Sequence, residues 1–137
     1  MSNFKLKLIA PDGVKFEETA SEITLPTRDG QITILPGHTP LITLLKPGEI
    51  IIKDGAKVRE LATEGGVAEI SQGLVKILAD TAEEAGNLNE LKIIEAKKAA
   101  EHRLAQAKDS VEFADASAAL EKQLAKLTFL NKRKKYR

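Results

Sequence analysis

Two different spacings of apolar residues divide the chain. Near its start, Phe4, Leu6 and Leu8 alternate with lysines, and this period of two directs one set of side chains to a core and the other to water. Short segments of similar kind follow and are separated by turns that contain Gly or Pro. The segments predicted as strands are residues 4–8, 14–16, 22–25, 31–35, 41–45, 49–53, 58–62, 67–71 and 74–79. No helical pattern lies between them, which favours an antiparallel β-sandwich, because parallel pairs need long crossovers.

The second half has a helical spacing. Apolar residues recur every three or four positions, and each series predicts one face of a helix. The first series is Ile93, Ala96, Ala100, Leu104, Ala107 and Val111, and the second is Phe113, Ala116, Leu120, Leu124 and Leu127. Between the helices, Asp109 and Glu112 have the spacing of a reciprocal capping box. The predicted fold class is therefore α+β, an N-terminal antiparallel sandwich followed by an antiparallel two-helix hairpin.

Composition and charge change at the same boundary. All nine glycines lie at or before Gly86 and all five prolines at or before Pro47, whereas residues 87–137 hold ten alanines. Residues 1–86 carry nine Lys/Arg and thirteen Asp/Glu, a net charge of −4, and residues 87–137 carry twelve and seven, a net of +5. We therefore expect two domains, a sandwich over 1–86 and a helical hairpin over 87–137.

The residue types argue against several classes of chemistry. Cysteine is absent, which excludes disulfides, thiolate zinc sites and Cys nucleophiles. There is no GxxxxGK[ST] phosphate loop, and His38 and His102 lack any HExxH context, so we expect neither a metal site nor catalysis. We interpret His38 as fixing a loop through ring hydrogen bonds and His102 as lying on a solvated helix face. The short apolar runs and the lysines near Met1 predict neither a transmembrane span nor a secretory signal.

The chain ends in a basic tail, residues 131–137. A free-standing nucleic-acid-binding module is one interpretation, because clustered cations release counterions from phosphate. A frayed, solvated terminus is another. Docking on an acidic protein surface is the interpretation we favour, since Lys122, Lys126 and Arg133 extend the basic character along the second helix at spacings of four and seven. We therefore expect a protein partner and no nucleic acid.

Five segments together resemble a known family. They are residues 29–41 (DGQITILPGHTPL), 44–48, 65–70, 75–83 and 109–117. In order and spacing they are similar to the epsilon subunits of F-type ATP synthases, over essentially the whole chain. The resemblance implies a sandwich of about ten strands, a helical hairpin and a non-catalytic subunit. It further implies a place on the cytoplasmic face of the bacterial inner membrane, as a peripheral protein held there only through the complex.

The resemblance also implies partners and their surfaces. The sandwich is expected to bind the gamma subunit and the c-ring, so that ring rotation is coupled to the catalytic sector, through a rotor-contact loop with Asp29, Gly30, Gln31 and His38. The helical hairpin is expected to extend and inhibit ATP hydrolysis by meeting the alpha and beta subunits through its basic face. The residues of that face are Lys122, Lys126 and Arg133.

The family's ATP motif, Ile/Leu-Asp-x-x-Arg-Ala, is altered in this chain. Asn89 stands at the position of the acid, Lys92 at that of the arginine and Ile93 at that of the alanine. Lysine lacks the planar fork of a guanidinium, and isoleucine fills space that alanine leaves open. The sequence therefore predicts a weak or absent regulatory ATP site with Asn89 and Lys92 as its candidates, and no other cofactor.

Overall fold

The computed structural model describes residues 3–135, which divide into two compact units at the Glu84–Ala85 peptide bond. The strands are β1 Phe4–Ala10, β2 Gly13–Ala20, β3 Glu22–Thr27, β4 Gly30–Ile34, β5 Leu41–Leu45, β6 Gly48–Asp54, β7 Lys57–Thr63, β8 Gly66–Ser71 and β9 Leu74–Ala79. The helices are α1 Glu90–Ala105 and α2 Ser110–Lys135, preceded by a 3-10 turn at Ala85–Asn87.

The strands of the first unit form one sheet that curls into two layers. Its strand order is β2-β1-β9-β8-β5-β3-β6-β7, and β4 pairs with β3. A single residue pair, Thr27 with Leu45, joins β3 to β5, and the sheet folds over at this weak junction. The predicted sandwich and the helices that follow it are both confirmed.

Two details of the predicted sandwich differ. The first is that β1 and β9 run parallel, with Lys5 beside Leu74 and Ile9 beside Leu78. A parallel pair needs a long connection, and here all the strands from β2 to β8 supply it. The second is that nine strands, not ten, fall within the described residues, and the remaining edge of β7 carries only an isolated antiparallel bridge between Ala62 and Glu83.

The core lies between the two layers. In β1, alternate residues are buried as the sequence pattern predicts, with Leu6 and Leu8 at most 1% exposed. They belong to one cluster with residues from the other layer, including Ile23, Leu25 and Ile50. Full burial of each such side chain contributes about 1.5–3 kcal/mol. This cluster makes the sandwich a rigid support for the side chains on its outer surface.

The predicted turn at Gly65-Gly66 has a backbone reason. Gly66 has φ +146, and a Cβ at this position would lie 2.2 Å from the carbonyl oxygen of Leu78. The preceding residue, Gly65, accepts a hydrogen bond from the backbone N–H of Asp80 at 2.9 Å. Only glycine allows β8 to leave this turn so close to β9.

Both helices of the second unit begin at capped termini. The Asn89 side-chain oxygen accepts from the Lys92 N–H at 3.2 Å at the start of α1. At the start of α2, Asp109 accepts from the Glu112 N–H at 2.8 Å, as predicted. The Glu112 carboxylate accepts from the Lys108 N–H at 2.9 Å, one residue before the partner that a strict capping box uses. The restart of the helix near Asp109 is thus confirmed.

The apolar faces predicted for the helices are only partly buried. Ile93, Ala100 and Ala116 are buried, but Val111 and Phe113 are 67% and 56% exposed. Val111 cannot continue the face of α1, because that helix ends at Ala105. Neither helix within residues 3–135 combines the length and the apolar content that crossing a bilayer requires.

Candidate docking surfaces

Five apolar side chains form a row across the outside of one layer of the sandwich. The members of this outer row are Val14, Ile9, Leu78, Val67 and Leu44, in register from β2 through β1, β9 and β8 to β5. Val14, Leu78 and Leu44 are 53%, 48% and 54% exposed. An exposed apolar stripe on adjacent strands has a desolvation free energy to gain by binding another surface.

A charged row runs beside it on the same strands. Glu17, Lys7, Lys76 and Glu69 are in register from β2 to β8, and the row ends on β5 at Ile42, which is 71% exposed. An apolar centre with charged residues at its margin is the usual anatomy of a protein–protein interface. The sequence analysis missed this face, although the unbroken apolar run of β5 was its signal, since a half-buried strand would alternate.

The residues predicted as a rotor-contact loop do not lie in one loop. Asp29 belongs to the two-residue turn between β3 and β4, and Gly30 and Gln31 begin β4. Thr27 donates its hydroxyl hydrogen bond to the Gly30 carbonyl and closes the turn. At the other end of β4, the backbone N–H of His38 donates to Leu35 at 3.2 Å.

His38 therefore lies one strand length, about 16 Å along the backbone, from the turn. Its ring Nδ1 donates to the Thr39 carbonyl at 2.7 Å. This contact agrees with the interpretation that His38 fixes its own loop. The structure brings Asp29, Gly30 and Gln31 together and separates His38 from them.

The predicted basic face of α2 is half-buried. Lys122, Lys126 and Arg133 share one side of the helix with Phe129, which is 3% exposed. The Arg133 guanidinium lies 5.7 Å from the centre of the Phe129 ring. The tail residues 131–135 belong to the helix, while Tyr136 and Arg137 lie outside the described residues.

The candidate ATP residues occupy the start of α1. The Asn89 side-chain oxygen is used as the helix cap, Lys92 is exposed, and Ile93 is 6% exposed. A ligand that engaged Asn89 would compete with the cap of α1. Among the described residues no three His, Asp or Glu side chains are grouped as metal ligands.

An open cleft lies between the β1–β2 turn and the segment after β9. It has a volume of about 210 Å³ and is lined by residues that include Asp12, Lys15, Asp80 and Glu83. Lys15 lies 2.6 Å from the Asp12 carboxylate, and this hydrogen bond lowers the pKa of Asp12. Ligand sites usually occupy about 300–1,000 Å³, so the cleft is small for a substrate.

Comparison with known proteins identifies the family of the chain. Residues 3–85 match the family model described as the ATP synthase, Delta/Epsilon chain, beta-sandwich domain. The chain belongs to the ATP synthase epsilon chain family. It is 39% identical to the ATP synthase epsilon chain of Acidithiobacillus ferridurans over 89% of this chain and 86% of that protein. It is also 38% identical to the epsilon chain of Psychrobacter arcticus over 98% of both chains.

Solved structures show the same fold. A chain in the Euglena gracilis mitochondrial ATP synthase structure, which comprises OSCP, F1 and the c-ring, superposes with a TM-score of 0.83 and 24% identity, over 95% of this chain and 82% of that chain. A chain of the Tetrahymena thermophila mitochondrial central stalk and c-ring structure gives a TM-score of 0.53 and 17% identity, over 85% and 95%. As an epsilon chain, the protein is a non-catalytic subunit of the ATP synthase, as the sequence resemblance implied.

Proposed function

We propose that this epsilon chain is a central-stalk rotor subunit that couples rotation of the c-ring to the catalytic sector through the gamma subunit. The outer row is the observation that carries the proposal, since the family assigns the sandwich to the stalk and this row is its exposed apolar stripe. Gamma docks on the outer row, with the charged row at the margin. The c-ring contacts the Asp29–Gln31 turn, and His38 forms a separate contact. The subunit is peripheral at the cytoplasmic face of the bacterial inner membrane and is held there through the complex.

The helical unit has a second role, the inhibition of ATP hydrolysis. Residues 87–137 carry a net charge of +5, which suits a surface that meets acidic parts of the alpha and beta subunits when the hairpin extends. Lys122, Lys126 and Arg133 supply part of that charge. Since exposed ion pairs contribute only about 0.2–1 kcal/mol each, several must act together.

Truncation tests this function. A fragment of residues 1–86 keeps every strand, so we expect it to melt cooperatively and to bind gamma with the affinity of the full chain. In the assembled complex, the same truncation raises ATP hydrolysis because the inhibitory helices are gone. Unchanged hydrolysis with full assembly would contradict the inhibitory role, and a fragment without a cooperative melt would contradict the domain division.

Charge reversal tests the basic face itself. Changing Lys122, Lys126 and Arg133 together to Glu should release hydrolysis nearly as far as truncation does, and raised salt should weaken inhibition by the unaltered chain. Lys98→Glu is the matched control, because Lys98 is exposed on α1, away from the basic face. Equal release by Lys98→Glu would show that total charge, and not the basic face, causes inhibition.

A further inference from the structure

The segment that leads from the sandwich to the helical unit is bound to the sandwich as a strap. We define the strap as residues 80–84, which follow β9. At its start, Asp80 donates its N–H to Gly65 at 2.9 Å, and the Thr81 hydroxyl accepts from the Glu64 N–H at 3.1 Å. Near its end, Glu83 and Ala62 exchange two backbone hydrogen bonds of 2.8 and 3.0 Å. The strap therefore covers part of the edge of β7.

One arginine joins the end of the strap to the opposite layer. Arg59 on β7 places its Nη2 3.0 Å from the Glu84 carboxylate. The same guanidinium lies 4.5 Å from the centre of the Phe16 ring, and Phe16 is 8% exposed on β2. A guanidinium serves both contacts because it stacks on an aromatic face while its edge donates hydrogen bonds. Arg59 thus connects the strap to the two strands that end the sheet, β2 and β7.

We propose that Arg59 is a clamp that holds the strap and so determines how much free chain precedes the helical unit. With the clamp closed, the last anchored side chain is Glu84. With the clamp and the Ala62–Glu83 bridge open, the last anchor is Thr81, and three more residues add up to about 10 Å of reach. The clamp itself depends only on contacts within the sandwich unit. Its effect on inhibition rests on the function proposed above, because a longer linker favours extension of the hairpin.

The clamp is sensitive to ionic strength. The Arg59 and Glu84 side chains are 47% and 52% exposed, so water and salt screen their attraction. Loss of an exposed pair changes an equilibrium by about 1.5- to 5-fold. The stacking contact on Phe16 adds to what Arg59 contributes, so removal of Arg59 has the larger effect.

Amide hydrogen exchange of the full chain tests the clamp. For Glu84→Gln at low salt, we expect the Glu83 N–H to exchange about 1.5- to 5-fold faster, and the difference from the unaltered chain to shrink at high salt. Arg59→Ala should accelerate it further. The paired change Arg59→Glu with Glu84→Arg should recover part of the protection. Lys53→Gln is the matched control, because it breaks a 3.3 Å ion pair with Glu22 elsewhere on the sandwich and should leave Glu83 unaffected.

Two results would overturn the clamp. One is unchanged exchange at Glu83 in both single variants. The other is equal acceleration at Glu83 and at the core amide of Leu8, since this would mean general destabilisation and not release of the strap.

Hydrolysis by the assembled complex tests the consequence separately. If the strap opens in Glu84→Gln, we expect lower ATP hydrolysis than with the unaltered chain. If truncation after residue 86 releases hydrolysis but Glu84→Gln leaves it unchanged, the clamp does not regulate inhibition, although the proposed inhibitory function stands. If truncation changes nothing, the inhibitory function fails, and exchange at Glu83 alone decides whether the clamp exists.

Discussion

The outer row makes a quantitative prediction for gamma binding. Leu44 and Leu78 retain about half of their surface in the free subunit, at 54% and 48% exposure. Complete burial of a leucine contributes about 1.5–3 kcal/mol, so covering the remaining half contributes about 0.8–1.5 kcal/mol for each residue. Replacing both by Ser should therefore weaken binding by about 1.5–3 kcal/mol, which corresponds to a roughly 10- to 150-fold rise in Kd.

Isothermal titration of the variant subunit with purified gamma measures this change. The two leucines point away from the core, so the thermal midpoint of the variant should stay close to that of the unaltered chain. Val58→Ser is the matched control, because Val58 is 51% exposed but lies on β7, outside the outer row. Its Kd for gamma should remain within about twofold, as expected for surface changes away from a contact.

Two outcomes would refute the reasoning. If the double variant keeps its thermal midpoint and binds gamma within twofold of the unaltered chain, the outer row is not the gamma contact. If Val58→Ser weakens binding as much as the double variant does, the effect is not specific to the row. A loss of binding accompanied by a lower thermal midpoint would call for Leu44→Ser alone, which should still raise the Kd by about 4- to 13-fold.

Three further predictions concern other parts of the chain. Gly66→Ala should lower the free energy of unfolding by at least about 2 kcal/mol in denaturant titration, whereas Gly86→Ala, with no atom within 4 Å of its Cβ, should change it by less than about 0.5 kcal/mol. Because the hydrogen bond from Lys15 lowers the pKa of Asp12 from 3.8, this pair stabilises the fold above that pH, and the contribution disappears as the pH falls below it; Lys15→Ala should raise the Asp12 pKa in an NMR titration. ATP should bind no tighter than about millimolar in calorimetry, since the Asn89 oxygen caps α1, and a micromolar constant would show that other residues form a site.

Local patterns in the sequence predicted most of the fold. Period-two alternation and glycine turns located the strands, because both act over a few neighbouring residues. The parallel pairing of β1 with β9 could not be predicted in this way. Which strands become neighbours depends on how the whole sheet curls, and no residue of β1 or β9 indicates its partner.

The candidate sites were predicted less completely, for a related reason. Spacing correctly placed Lys122, Lys126 and Arg133 on one side of α2, but burial of that side depends on the packing around Phe129. Similarly, the apolar Ile42 and Leu44 looked like core residues, and only the register of β5 with β8 shows that they face outward. Sequence spacing assigns residues to a common face, whereas the tertiary structure decides which face meets water.

The half-burial of the basic face has a consequence for inhibition. Lys122, Lys126 and Arg133 can pair with an acidic partner only to the extent that their charged groups are accessible, and in the described conformation each is partly covered. The Arg133 stem and guanidinium also pack over Phe129, so moving Arg133 to a partner gives up that contact. The free energy that covers this side of α2 therefore opposes docking through it. Inhibition through the basic face requires a partner whose contacts exceed that opposing term, and a difference of a few kcal/mol between the two states is within the range that partners and ligands can shift.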